Sequence, residues 1–236
     1  MKNMFERLVG KKVDKGYLKD VFGMAMPLLM YGALYITWFS IIEKHRFSHY
    51  AVIHTAIDDR IPFIEAFIVP YYLWFFYVSL TLVYFIVTLE VEDYYKNFFF
   101  LTTGMTLFLV ISTLFPNMHQ LRPAVMPRDN IFTALVEIIY KKDTAANLWP
   151  SIHVYNSIGT MIAIRKSKKF KTGGKIASDI LGVLIILSTM FVKQHSVYDV
   201  VTAIAMSVIF YIFFYKTSAM SNFCRRKEEK LAFRYD

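Results

Sequence analysis

His195 and Asp199 stand four residues apart. On a helix that spacing puts both side chains on one face, where the carboxylate can accept from the imidazole Nδ1–H. Nε2 then keeps its lone pair, and an imidazole oriented in this way serves as a general base, a metal ligand or a nucleophile. A second group, Pro150-Ser151-Ile152-His153, has the pattern of a helix start: a proline at or before the first turn, then a hydroxyl and an imidazole. Helix amino termini carry unpaired N–H groups and partial positive charge, which suits phosphate; Ser151 adds a donor and His153 a transferable proton. Arg122, followed by Pro123, offers a permanent charge in a planar fork that matches phosphate oxygens. Lys193, two residues before His195, offers another positive charge without the fork. Brought together, these residues would form a cationic, donor-rich cup holding two histidines in different roles.

Each group alone also has a plainer reading. Arg122-Pro123 is an ordinary loop dipeptide, Ser151 an ordinary helix-start residue, His195 with Asp199 a capping or interfacial pair, and Lys193 a side chain reaching for headgroups. Their coincidence at the ends of apolar stretches, on one side of the topology set out below, favours function. Zinc is weighed as well, because His45 and His49 are four apart and His54 follows. That pair lacks the third ligand of a catalytic site, and His153 with His195 has only Asp199 nearby. The expectation is no metal and no cofactor, with the first-loop histidines wet at headgroup level.

The elements that must position these residues are written in the hydropathy. Apolar residues make up 56% of the 236-residue chain and aromatics 17%, with mean hydropathy +0.40; the natural solvent for such a chain is lipid. A bilayer core of about 30 Å takes roughly 20 apolar residues as helix, since every backbone N–H and C=O must pair within the segment. Six stretches approach that length: Phe22 to Ile42, Ile68 to Leu89, Phe98 to Phe115, Ser151 to Ile164, Ala177 to Val192 and Val197 to Tyr215. Pro27 and Pro70 lie early in their spans, where a missing N–H costs least. The expected fold class is all-α, a polytopic membrane helix bundle of about six transmembrane helices. It divides into a cytoplasmic amino-terminal segment (1–21), one membrane domain (22–215) and a basic cytoplasmic tail (216–236).

The net charge of +9 is gathered in short clusters between apolar runs, which speaks for topology and against a nucleic-acid partner. Most lysines and arginines fall in the amino-terminal segment, in the Arg165 to Lys175 loop and in the tail. Basic residues are retained in the cytoplasm, so both termini are expected there and all six histidines in or beside outer loops. The first apolar run is too long for a signal core and lacks a small-residue cleavage site, so the amino-terminal segment is expected to stay attached. Cys224, the single cysteine, excludes an intrachain disulfide. Among the outer segments, Glu43 to Phe67 carries Asp58-Asp59-Arg60 and Pro62-Phe63 and is expected to form an interfacial helix and a turn. The stretch from Pro116 to Pro150 is too long for a mere connector and is the natural lid or site-forming segment. Small residues such as Gly104 and Gly159 are too sparse to mark an oligomer face.

The order Arg-Pro, Pro-Ser-x-His, His-x-x-x-Asp resembles the type 2 phosphatidic acid phosphatase superfamily of membrane lipid phosphatases and phosphotransferases. The resemblance covers about Phe98 to Val208, and the family pattern is often written KxxxxxxRP, PSxH and SRxxxxxHxxxD. Arg122 matches the phosphate-binding arginine of the first block, Ser151 and His153 match the second, and His195 with Asp199 match the third. The family's first-block lysine is replaced here by Phe115 and its third-block arginine by Thr189, while Ser188 keeps the preceding serine; Lys193 is the expected stand-in for a missing cation. The Lys-Gln-His-x-x-x-Asp form, with Asp-Asp-Arg-Ile-Pro-Phe in the first outer loop, is similar to the branch that includes inositol phosphorylceramide and sphingomyelin synthases.

What the resemblance implies is a metal-independent displacement in two steps on a lipid phosphate at the outer face of the cell membrane. His195, steered by Asp199, attacks phosphorus and forms a phosphohistidine or substituted-phosphate intermediate. His153 protonates the leaving oxygen and then activates water or an alcohol, while Arg122, Lys193 and Ser151 stabilise the added charge. One histidine must be neutral while the other is protonated, so a bell-shaped pH profile is expected. The alternatives are transfer of a phospho-headgroup to an alcohol, and a non-catalytic protein that binds phospholipid.

Overall fold

A computed structural model of the chain describes residues 12–232 together with Glu6 and Val9. The basic residues Lys2, Arg7, Lys11 and Arg234, which entered the orientation argument, lie outside the described residues. The fold is all-α: the helices are α1 (Lys15–Lys44), α2 (Ile68–Val87), α3 (Val91–Leu114), α4 (Ile131–Lys142), α5 (Ile152–Lys166), α6 (Thr172–Phe191), α7 (Val197–Lys216) and α8 (Ser218–Ala232). Two strands of two residues each, β1 (Ala51–Val52) and β2 (Asn117–Met118), pair in parallel with Ala51 opposite Asn117.

Among the described residues, five helical segments are long and apolar enough to cross a membrane: Lys15–Lys44, Glu65–Val87, Val91–Leu114, Thr172–Phe191 and Val197–Lys216. The remaining expected span is α5, which at 15 residues is about 22 Å long. It needs no long lipid-facing stripe because α3, α6, α7 and α2 pack around it. Its His153, Asn156, Ser157 and Thr160 are all buried, while Phe22, Leu29, Met30 and Ile36 of α1 and Val201, Ile209 and Phe213 of α7 face outward. Polar residues inside and apolar residues outside suit a bundle surrounded by lipid, where association rests on close packing and interhelical hydrogen bonds.

Close packing is visible where α3 meets α5. A Cβ on Gly104 would lie 2.0 Å from the Tyr155 ring, and one on Gly159 would lie 2.6 Å from the Phe100 ring. The two glycines let two aromatic rings stack between the helices, centroids 4.6 Å apart, and the Tyr155 hydroxyl donates to the Phe100 carbonyl at 2.8 Å. Tyr94 ties α3 to α1 in the same way, donating to the Met24 carbonyl at 2.7 Å.

One segment departs from expectation. No α-helix forms between His45 and Ile64; the first loop holds β1, a run of turns and, beyond them, a 3-10 turn at Glu65–Phe67. Asp58 explains this, because its carboxylate accepts from the Thr55 N–H at 2.7 Å and the Thr55 hydroxyl at 2.9 Å, closing a local turn that competes with helix. Within the basic tail, α8 folds back on α3, burying Met220 and Cys224 and setting Phe223 edge-on to Tyr95 and Phe99.

Candidate functional site

The link between α6 and α7, Val192 to Ser196, is five residues of tightly determined backbone. Lys193 takes φ 52°, a left-handed conformation uncommon for a residue with a side chain, and the N–H groups of Gln194 and His195 both donate to the Thr189 carbonyl, at 2.9 and 3.0 Å. Ser196 then caps α7, accepting from the Tyr198 N–H at 3.1 Å, while Asp199 closes the capping box by accepting from the Ser196 N–H at 3.0 Å. Asp58 reaches in from the first loop, accepting from the Ser196 hydroxyl at 2.7 Å and the Val197 N–H at 2.8 Å. Burial alone would raise the Asp58 carboxyl, but these donors and those of Thr55 outweigh it and hold it below its ordinary value.

This frame fixes His195. Its Nδ1 lies 3.2 Å from the Asp199 Oδ2, and its Nε2 faces the Nδ1 of His153 at 3.3 Å. With Nδ1–H given to the carboxylate, Nε2 is the acceptor and His153 the donor between the rings. Both imidazoles are buried, at 4% and 7% exposure. Burial, helped by the positive charge of Arg122, pushes His195 down to about 3, so its ring is neutral at physiological pH. His153 sits in the first turn of α5, whose N-cap is Ser151. Its ring packs against Trp74 and Tyr71 of α2, centroids 4.3 and 4.7 Å apart.

A cavity of about 310 Å³ opens above the two imidazoles. Tyr35, Phe39, Trp74, Phe75, Phe108 and Ile152 give it an apolar wall, and Lys142, Asp143 and Asn147 a polar edge. Burial pushes the Asp143 carboxyl up to about 6, against the pull of Arg122, and its Oδ2 accepts from the Tyr71 hydroxyl at 3.4 Å. An apolar cleft ending in a few convergent polar groups is the usual form of a small-molecule site.

The other expected site residues are near but differently employed. The Ser151 hydroxyl is fully buried and accepts from the Val154 N–H at 3.4 Å, so it serves as a helix cap. Arg122 donates to the carbonyls of Tyr140, Asp143 and Thr144 at 3.2, 2.8 and 3.0 Å and to Gln194 Oε1 at 2.5 Å, with its guanidinium 4.3 Å from the Tyr140 ring centroid. It thereby joins the α4 end to the residue preceding His195. Lys193 turns its ammonium to the carbonyls of Asp58 and Ile61, at 2.9 and 2.6 Å. None of these three lines the cavity. The structure therefore brings His195, His153 and Asp199 together and sets Arg122, Ser151 and Lys193 around them as supports.

Residues given no site role in the sequence argument complete the surroundings. His119 is buried, accepts from the Leu121 N–H at 3.3 Å through Nδ1 and so donates from Nε2 to the Gln194 carbonyl at 2.8 Å. Burial holds it down to about 4. The Asp199 Oδ1, the Arg122 Nε and the Gln194 Nε2 are buried without a hydrogen-bond partner among the described residues, a concentration of unsatisfied groups that a folded protein rarely leaves outside a functional region. Tyr71 and Trp74 carried no signal in the sequence, since they belong to a plain span, and Lys142 lies in the Pro116 to Pro150 stretch expected to form a lid or the site, with no local pattern to single it out. The first-loop histidines stay apart: His54 pairs at 2.8 Å with Asp59, both well exposed. Among the described residues, no group of three or more His, Cys, Asp or Glu could hold a metal ion. No family model matches the chain, and no curated protein and no solved structure matches it.

Proposed function

We propose that the chain is a membrane lipid phosphatase of the type 2 phosphatidic acid phosphatase kind, hydrolysing a lipid phosphate or pyrophosphate through a phosphohistidine on His195. The observation that carries this reading is the neutral, Asp199-oriented imidazole of His195 facing a second imidazole at the base of an apolar cavity. Substrate arriving in the cavity replaces the contact between the histidines. His195 Nε2 then attacks phosphorus in line, the bond to the leaving oxygen breaks, and His153, which takes up a proton as the phosphate binds, gives that added proton to the leaving oxygen. Water attacks the phosphohistidine next, losing its proton to His153 and releasing phosphate. No step calls for a metal. Most of the Lys and Arg lie at the end of the sequence pattern away from the histidines, which supports a cell-membrane protein with both termini cytoplasmic and the cavity on the outer face.

The test is turnover by the purified full-length protein in detergent, with phosphatidate, phosphatidylglycerol phosphate and polyprenyl pyrophosphate, each with and without chelator. Phosphate release that survives the chelator and is lost in His195→Gln supports the reading. Unchanged release by that variant on every substrate refutes it. A new phosphodiester formed only when an alcohol is added would move the assignment to transfer, and specific phospholipid binding without turnover would move it to a binding protein.

A further inference from the structure

A phosphate placed against the two imidazoles needs a cation, and the two expected from the sequence are occupied. Arg122 gives its N–H groups to three carbonyls and the Gln194 amide oxygen. Lys193 gives its ammonium to two carbonyls of the first loop. An anion would have to strip either of them from these partners, and each lies outside the cavity wall. Lys142 is placed differently. It is the last residue of α4, its side chain is exposed and lines the same cavity as His153 and His195, and its ammonium makes no hydrogen bond or ion pair with the described residues.

Asn147 stands on the same edge. It is 3% exposed, holds φ 55°, and its Oδ1 is buried without a partner. Its position is rigid: its N–H donates to the Asn117 carbonyl, and the Asn117 side chain accepts from the N–H groups of Leu148 and Trp149 at 2.9 and 3.0 Å. A buried, unpaired amide fixed at a cavity wall is a polar group waiting for a ligand. It can accept from a protonated phosphate oxygen or, after a half-turn, donate its N–H₂ to an ionised one.

We infer that Lys142 and Asn147 form the phosphate-recognition edge of this cavity, supplying the cation that Arg122 and Lys193, held by carbonyl groups outside it, do not. The inference rests on the proposed histidine chemistry and adds the groups that hold the anion. Binding of orthovanadate to the purified full-length protein in detergent, followed by calorimetry, tests it. Wild type should bind, Lys142→Gln should bind about 10- to 100-fold more weakly, as expected when a charged hydrogen-bond donor is lost, and Lys142→Arg should recover most of the affinity. Because Lys142 is exposed at a helix end, its variants should melt with wild type, which separates lost contact from lost fold. Equal affinity in wild type and Lys142→Gln overturns the inference and leaves the histidine reading standing. Absence of vanadate binding in wild type overturns both.

Discussion

His195 owes its character to two facts of different range: an aspartate four residues on, in the first turn of α7, and burial that makes a charged imidazole costly. Replacing it with Gln should lower phosphate turnover by at least about 10³-fold, whereas His153→Gln should lower kcat by about 10²- to 10⁴-fold as a lost acid–base. Steady-state kinetics on matched preparations distinguishes them. The same burial has a stability consequence. His195 and His119 are held near 3 and near 4 in the folded state, against about 6.5 unfolded. The unfolded chain thus binds more protons between those values, and their contribution to stability is present above about pH 6.5 and lost as pH falls. Asp143, raised to about 6, acts with the opposite sign, since its folded form binds a proton that the unfolded form lacks between about pH 4 and 6. Melting temperature in detergent should therefore fall between pH 6.5 and 4, and Asp143→Asn should make the fall steeper. A flat profile in the wild type would refute the assigned burial.

At the scale of elements, α7 is held in place by a residue from a distant loop. Asp58 accepts from both Ser196 and Val197, so the first loop determines where the first turn of α7, and with it His195, comes to rest. Asp58→Ala should cost about 1–3 kcal/mol of stability, by analogy with lost caps and charged hydrogen bonds, and should lower kcat as well. Thermal unfolding and turnover on one sample test both parts, and full activity in a destabilised variant would deny the coupling. The contact between α3 and α5 is held by close fit instead. Gly104→Ala would set a methyl group into the Tyr155 ring, and overpacking of this kind typically costs about 1–3 kcal/mol. A matching loss of thermal stability is expected, with His153 on the same helix as Tyr155 displaced in proportion.

For the whole molecule, the segments that hold the cavity gather at one end of the bundle. β1 pairs with β2, Lys193 reaches the first loop, and Arg122 joins the long loop to the α6–α7 link. The opposite end is joined by Tyr17 to the Val87 carbonyl and by the ion pair of Lys169 with Glu90. If the cavity end faces outward, an impermeant maleimide on intact cells should label Ser48→Cys and spare Lys171→Cys, both exposed positions; native Cys224 is buried and should stay silent. The reverse pattern would invert the proposed orientation.

Span lengths, the all-α class and the His195–Asp199 pair were legible in the sequence because each depends on near neighbours: a bilayer selects long apolar runs, and the pair lies four residues apart, although His195 stands in the link ahead of α7 and meets Asp199 across the helix cap instead of along one helix face. The bounds differed by only a few residues at most ends, α1 running from Lys15 instead of Phe22. What only the tertiary structure decided is how the polar side chains are employed. Arg122 and Lys193 read as free cations until the fold supplied carbonyls from residues far along the chain. Nothing in the sequence singled out Lys142, which α4 sets on a cavity walled by α1, α2 and α3. Hydropathy is a property of each segment alone, whereas the partner of a guanidinium or an ammonium depends on which distant backbone the packing brings within 3 Å, and no local pattern records that.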